Sequence, residues 1–121
     1  MAKTHSPVLR HRLLQKISGS VIKLSQDQFA NFAIKEILKH WDSETCSTIY
    51  NQVINQINEL SIQKFSSNTI EACLTYSDEL TRSRYIQQIT RSSCLHNLIK
   101  NQFGNYVVQC ALKCAASHDK A

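Results

Sequence analysis

Apolar side chains recur at three- and four-residue steps along most of the chain. From Leu24 onward Phe29, Ile34, Ile37 and Leu38 share one helical face, and Phe103, Val108, Ala111 and Leu112 repeat that spacing farther on. These stretches predict inner helices that begin their apolar stripe at the phenylalanine. A turn cluster follows each of them, at Asp42-Ser43-Glu44, Ser77-Asp78-Glu79 and Ser117-His118-Asp119, with side-chain oxygens able to cap the next helix. After the first cluster Cys46, Ile49, Tyr50, Val53, Ile54 and Ile57 predict a second, outer amphipathic helix. After the second cluster the pattern is looser, anchored by Leu80, Ile86 and Ile89 with Tyr85 nearby.

The pattern is a repeat. LSQDQFANFAIKEIL from Leu24, LSIQKFSSNTIEACL from Leu60 and LIKNQFGNYVVQCAL from Leu98 align on Phe29, Phe65 and Phe103, with periods of 36 and 38 residues. In that register Leu24, Leu60 and Leu98 coincide, as do Ile34, Ile70 and Val108, and Leu38, Leu74 and Leu112. Helix pairs of this length stack into solenoids. Shifted back by one period, the outer helix maps onto Leu13, Leu14, Ile17 and Val21. The expected architecture is therefore all-α, a right-handed α-solenoid slice open at both ends. It comprises the outer helix of a preceding repeat (8–23), repeats over 24–59 and 60–97, and a truncated repeat over 98–121. Neither end reads as a polar cap, so the pattern predicts a piece of a longer array whose open faces self-associate artefactually.

Composition agrees with helices. Two glycines and one proline in 121 residues leave little material for hairpin turns, while 42% hydrophobic residues suffice for one core. No apolar run reaches membrane-spanning length and the first residues are polar, which predicts a soluble, cytoplasmic protein without a membrane partner. Five cysteines, an odd number, point to reduced thiols. Cys110, Cys114 and His118 lie at i, i+4 and i+8 with Cys94 and His96 upstream, but no second ligand pair accompanies them and the positions do not recur between repeats. No metal, no cofactor and no catalysis are expected. The formal net charge of +5 permits a polyanionic partner without requiring one.

Chemical variety concentrates at three fixed places of the inner helix. They hold Asn31, Phe32 and Lys35 in the first copy, Ser67, Asn68 and Glu71 in the second, and Asn105, Tyr106 and Gln109 in the third. The first and third members stand one above the other on a face turned from Ile34 and Leu38, with the second flanking them. Stacked inner helices would align these triplets into a ladder of polar pairs, able to bond base edges, interleaved with flat side chains able to stack on bases. Lys35, Lys64 and Lys100 could add phosphate contacts.

With FGNYVVQ at Phe103–Gln109 and FSSNTIEACL at Phe65–Leu74, the chain from about Leu13 to Ala115 resembles Pumilio-family (PUF) RNA-binding repeats, most closely the last three of such a domain. The resemblance implies single-stranded RNA binding at one base per repeat, with the C-terminal repeat facing the 5′ base. It implies that Asn105 and Gln109 read uracil with Tyr106 stacking, and that Ser67 and Glu71 read guanine with Asn68 in the stacking place. The first repeat departs from the family: Lys35 stands where a uracil reader carries Gln, and lysine offers donors only. The implied readout is 5′-U-G-N, with weakened selectivity at the base facing Asn31, Phe32 and Lys35. The resemblance further implies regulation of mRNA through a UGU-like element of the 3′-untranslated region, with regulatory proteins on the outer face. Two other readings suit a basic helical array: a peptide-binding solenoid of the armadillo or HEAT type, and a PUF-like RNA binder without base selectivity.

Overall fold

The structure is a computed structural model that describes residues 7–120. The polar segment before Pro7 lies outside the described residues. Nine helices and no strand occur among those described: α1 (Pro7–Ser18), α2 (Val21–Gln26), α3 (Ala30–His40), α4 (Ser47–Ile54), α5 (Ile57–Ser61), α6 (Ser66–Tyr76), α7 (Glu79–Ile89), α8 (Ser92–Lys100) and α9 (Gly104–Lys120). None of them is long and apolar enough to cross a membrane.

The inner helices form one layer in which α6 packs between α3 and α9. The outer layer is formed by α1, α4 and α7, each packing on the next. One continuous core lies between the layers, built from Leu14, Val21, Ile34, Leu38, Ile49, Val53, Ile70, Leu74, Tyr85, Ile89 and their neighbours. This is the α-solenoid that the repeat predicts.

Each complete unit, however, contains three helices rather than two. The outer helix expected to run through Ile57 stops at Ile54, the chain turns with Gln56 N–H donating to Val53 O at 3.0 Å, and α5 begins at Ile57. One period earlier the helix expected over 8–23 breaks in the same way, with Ser20 N–H donating to Ile17 O at 2.8 Å before α2 begins. The break lets Val53, Ile57 and Leu60 all point into the core, each almost fully buried.

One of the three turn clusters caps a helix: Asp78 Oδ1 accepts from Thr81 N at 2.8 Å at the start of α7. Asp42 accepts from Thr45 N at 3.1 Å and Thr45 Oγ1 at 2.6 Å within the turn before α4, whose N-cap Cys46 makes no side-chain cap bond. The third, Ser117-His118-Asp119, is not a turn: its backbone lies within α9, and its side chains lie outside the described residues. Phe29 does not pack as the stripe predicts, since it is 75% exposed at the edge of the array with no helix against that side among the described residues. Leu112 is exposed for the same reason at the other edge, and in α9 the fully buried valine is Val107 rather than Val108. Trp41, at the end of α3, packs half-buried on the core beside the turn.

Candidate nucleic-acid interface

Each inner helix is launched from a tight turn that also anchors the first member of its triplet. Asp27 Oδ2 accepts from Phe29 N and Ala30 N, both at 2.8 Å, and these two amides hold the Asp27 carboxyl below its usual range. Asn101 Oδ1 does the same for Phe103 N at 2.8 Å and Gly104 N at 3.0 Å. In the middle repeat the register position is Gln63, whose Nε2 donates to Glu59 O at 3.0 Å and whose Oε1 accepts from Gln26 Nε2 at 3.2 Å. The sequence pattern passed over these turn residues, although they recur at 27, 63 and 101.

Onto these turns fold the first members of the triplets. Asn105 Nδ2 donates to Asn101 O at 2.9 Å and Gln102 O at 3.1 Å, and Asn31 Nδ2 donates to Asp27 O at 2.8 Å and Gln28 O at 3.1 Å. Ser67 Oγ donates to Lys64 O at 3.2 Å. All three side chains therefore direct their donors to backbone carbonyls, which leaves an acceptor for anything beyond. Asn31 and Ser67 are buried, and Asn105 is partly exposed.

The third members differ in what they do with that acceptor. Gln109 Nε2 donates to Asn105 Oδ1 at 2.9 Å, joining the two into one unit on the exposed face of α9. Lys35 turns away from Asn31: its Nζ stands 5.2 Å from the Phe32 ring centroid. Glu71 is half-buried between neighbouring helices. Burial pushes its carboxyl above the usual range, opposed by the charges of Lys35 on α3 and Lys113 on α9. The second members line up along the same face, with Phe32 56% exposed, Tyr106 59% exposed and Asn68 half-buried. Of the expected phosphate contacts, Lys64 lies with Nζ 5.5 Å from the Phe65 centroid and Lys100 is exposed at the end of α8.

The thiols are arranged as packing groups. Cys46 and Cys73 are buried, and desolvation raises them to about 11 and about 12. Cys110 and Cys114 donate toward Glu71 O at 3.8 Å and Leu74 O at 3.5 Å across the α6–α9 contact. No group of three His, Cys, Asp or Glu side chains that could hold a metal ion occurs among the described residues.

The sequence profile of the Pumilio-family RNA binding repeat matches three times, over residues 20–54, 56–90 and 94–121, so the matches begin 36 and then 38 residues apart. The chain belongs to the Pumilio family. Pumilio homolog 12 of Arabidopsis thaliana is 33% identical over 104 residues, an alignment covering 86% of this chain but 17% of that protein. Among solved structures, the Puf4 RNA binding domain bound to the HO endonuclease RNA 3′ UTR recognition sequence superposes with a TM-score of 0.89 at 16% identity, covering 96% of this chain and 35% of that one. The Puf3 RNA binding domain bound to a Cox17 RNA 3′ UTR recognition sequence superposes at 0.75 with 26% identity, covering 91% of this chain and 37% of that one. The PUF solenoid is thus the fold of this chain, which spans about a third of those domains and about a sixth of that relative.

Proposed function

We infer that the chain binds single-stranded RNA along its inner layer, one base per repeat, without catalysis. The observation that carries this reading is the ladder itself: three triplets in one register, each anchored on its turn, with the Phe32 and Tyr106 rings exposed beside the outer rungs and Asn68 half-buried at the middle one. Puf3, at 26% identity, holds RNA in its solved structure, which supports the same partner here. That RNA is a 3′ UTR recognition sequence, and on this likeness we assign the chain to cytoplasmic regulators of mRNA that act through a UGU-like element, read here as 5′-U-G-N.

Base preferences follow from donors and acceptors. The Gln109 amide offers an N–H and a carbonyl side by side, which complements uracil N3–H and an adjoining carbonyl. Asn105 acts as a positioning residue, because its own donors are held by the turn and its Oδ1 fixes the Gln109 amide. Glu71 accepts from guanine N1–H and N2–H₂, donors that adenine lacks at those positions. Tyr106 stacks, and Asn68 provides a smaller flat surface in the guanine repeat.

The test is a titration of the chain, followed by NMR, with a short UGU-containing RNA and with its counterpart carrying A for G. Perturbed Gln109 and Asn105 side-chain amides together with binding weakened about fivefold or more by the A substitution are expected. Equal response to both RNAs would remove base readout by Glu71. No response would remove RNA as the partner of this face.

A further inference from the structure

Building on the base-by-base reading above, we propose that the first repeat selects cytosine, with Lys35 as the residue that reads it, so that the chain prefers 5′-U-G-C. The first repeat holds an orphaned acceptor. Asn31 is wholly buried and its Nδ2 donates to Asp27 O and Gln28 O at 2.8 and 3.1 Å. Two carbonyl oxygens at that range require the NH₂ end of the amide, so the orientation of the group is fixed. Its Oδ1 is buried and has no hydrogen-bond partner among the described residues.

The third repeat shows what is missing. Asn105 is tied to its turn in the same way, but its Oδ1 receives Gln109 Nε2 at 2.9 Å. In the first repeat the side chain one helical turn on is Lys35, and its ammonium stands over the Phe32 ring instead. A buried acceptor left unpaired is costly, whereas a cation over a half-exposed ring gains little. A base stacking on Phe32 tips the balance by displacing the ammonium from the ring. An unmet acceptor, Asn31 Oδ1, lies one turn back on the same face. Lys35 then bridges inward to Asn31 and has two N–H groups left for the base.

A site that presents donors only sorts the four bases by their acceptors. Cytosine carries O2 and N3 next to each other on the edge that the neighbouring repeats read. Uracil sets N3–H beside each carbonyl, and guanine sets N1–H beside O6. Adenine offers N1 next to an amino donor. On that edge cytosine is the base with two adjacent acceptors and no donor between them, whereas the O6 and N7 acceptors of guanine meet on its other edge. Glu71, on the neighbouring rung, feels the charge of Lys35 and supplies a counter-charge that keeps the ammonium at the inner face rather than out over the backbone phosphates.

The experiment compares four short RNAs, 5′-U-G-N with N as C, U, A or G, against the 121-residue chain and its Lys35→Gln variant, with Phe32→Ala as a second variant and circular dichroism to check folding. A fifth RNA, 5′-U-A-C, reports guanine readout independently. The expected result is binding of the C RNA about fivefold or more tighter than the U RNA, reversed to a U preference in Lys35→Gln. Phe32→Ala should weaken all four RNAs while keeping their order. Equal affinity for all four bases, with 5′-U-A-C still weakened, overturns cytosine selection and leaves the guanine reading intact. Loss of discrimination against 5′-U-A-C as well overturns both.

Discussion

Tyr50 and Tyr85 meet edge-on in the core, with ring centroids 6.2 Å apart and planes at 82°, yet their hydroxyls fare differently. Tyr85 donates to Tyr50 O at 2.6 Å, whereas the Tyr50 hydroxyl is buried without a partner among the described residues. Deleting a hydroxyl that makes a bond costs about 0.5–1.5 kcal/mol, and deleting one that makes none relieves a desolvation penalty. Tyr85→Phe is therefore expected to lower the melting temperature and Tyr50→Phe to leave it unchanged or raise it, as thermal unfolding will read directly. Glu71 poses the same contrast between stability and function. Burial raises its carboxyl despite Lys35 and Lys113, so the unfolded chain releases that proton more readily than the folded one. The sign follows: the charged form disfavours folding at neutral pH, and the penalty fades as pH falls through the raised value. Glu71→Gln should melt higher than the wild type at pH 7 while losing preference for guanine over adenine. In the wild type that preference should fade on acidification at a higher pH than an exposed glutamate would allow.

Between elements, α8 and α9 approach closely at a glycine. A Cβ on Gly104 would lie 2.7 Å from Leu98 O and 3.0 Å from Leu98 Cα, backbone atoms that cannot rotate away. The same register position carries Ala30 in the first repeat and Ser66 in the second, where Ser66 Oγ donates to Leu60 O at 2.7 Å. Gly104→Ala should therefore cost about 1–3 kcal/mol, as overpacking does, although its equivalents tolerate a side chain, and a melting curve will show it. The helix layers were legible in the sequence because a 3.6-residue period repeated three times needs no tertiary knowledge to be seen. The breaks at Ser20 and Gln56 were not, because Val53 and Ile57 keep a helical spacing across a turn that redirects both into the core. Likewise the triplets could be located by register, but not the fate of their polar atoms. Nothing in Asn31-Phe32-Lys35 as letters tells that the amide turns inward to Asp27 O while the ammonium turns out to a ring. The exposure of Phe29 depends on what stands beside the first repeat, which is a property of the array and not of the segment.

At the scale of the whole molecule two contributions to the proposed RNA binding separate by their response to salt. Stacking on an aromatic side chain supplies about 1–3 kcal/mol per base, so Phe32 and Tyr106 yield roughly 2–6 kcal/mol, against association costs of about 4–15 kcal/mol. The formal net charge of +5 adds attraction to the phosphates, and this part is screened by salt. If the inner face neutralises about three phosphates, the logarithm of the affinity should fall with the logarithm of salt at a slope near −2, from about −0.7 per contact on a single strand. On the proposed reading, the discrimination of guanine from adenine comes instead from atoms within one half-buried pair of groups, Glu71 and the base edge. Their ratio should stay constant over the same range while both affinities fall. Affinities measured for the two RNAs from low to physiological salt will show parallel lines if Glu71 reads the base. Lines that converge as salt rises would mean that the preference is carried by charge along the strand rather than by the rung.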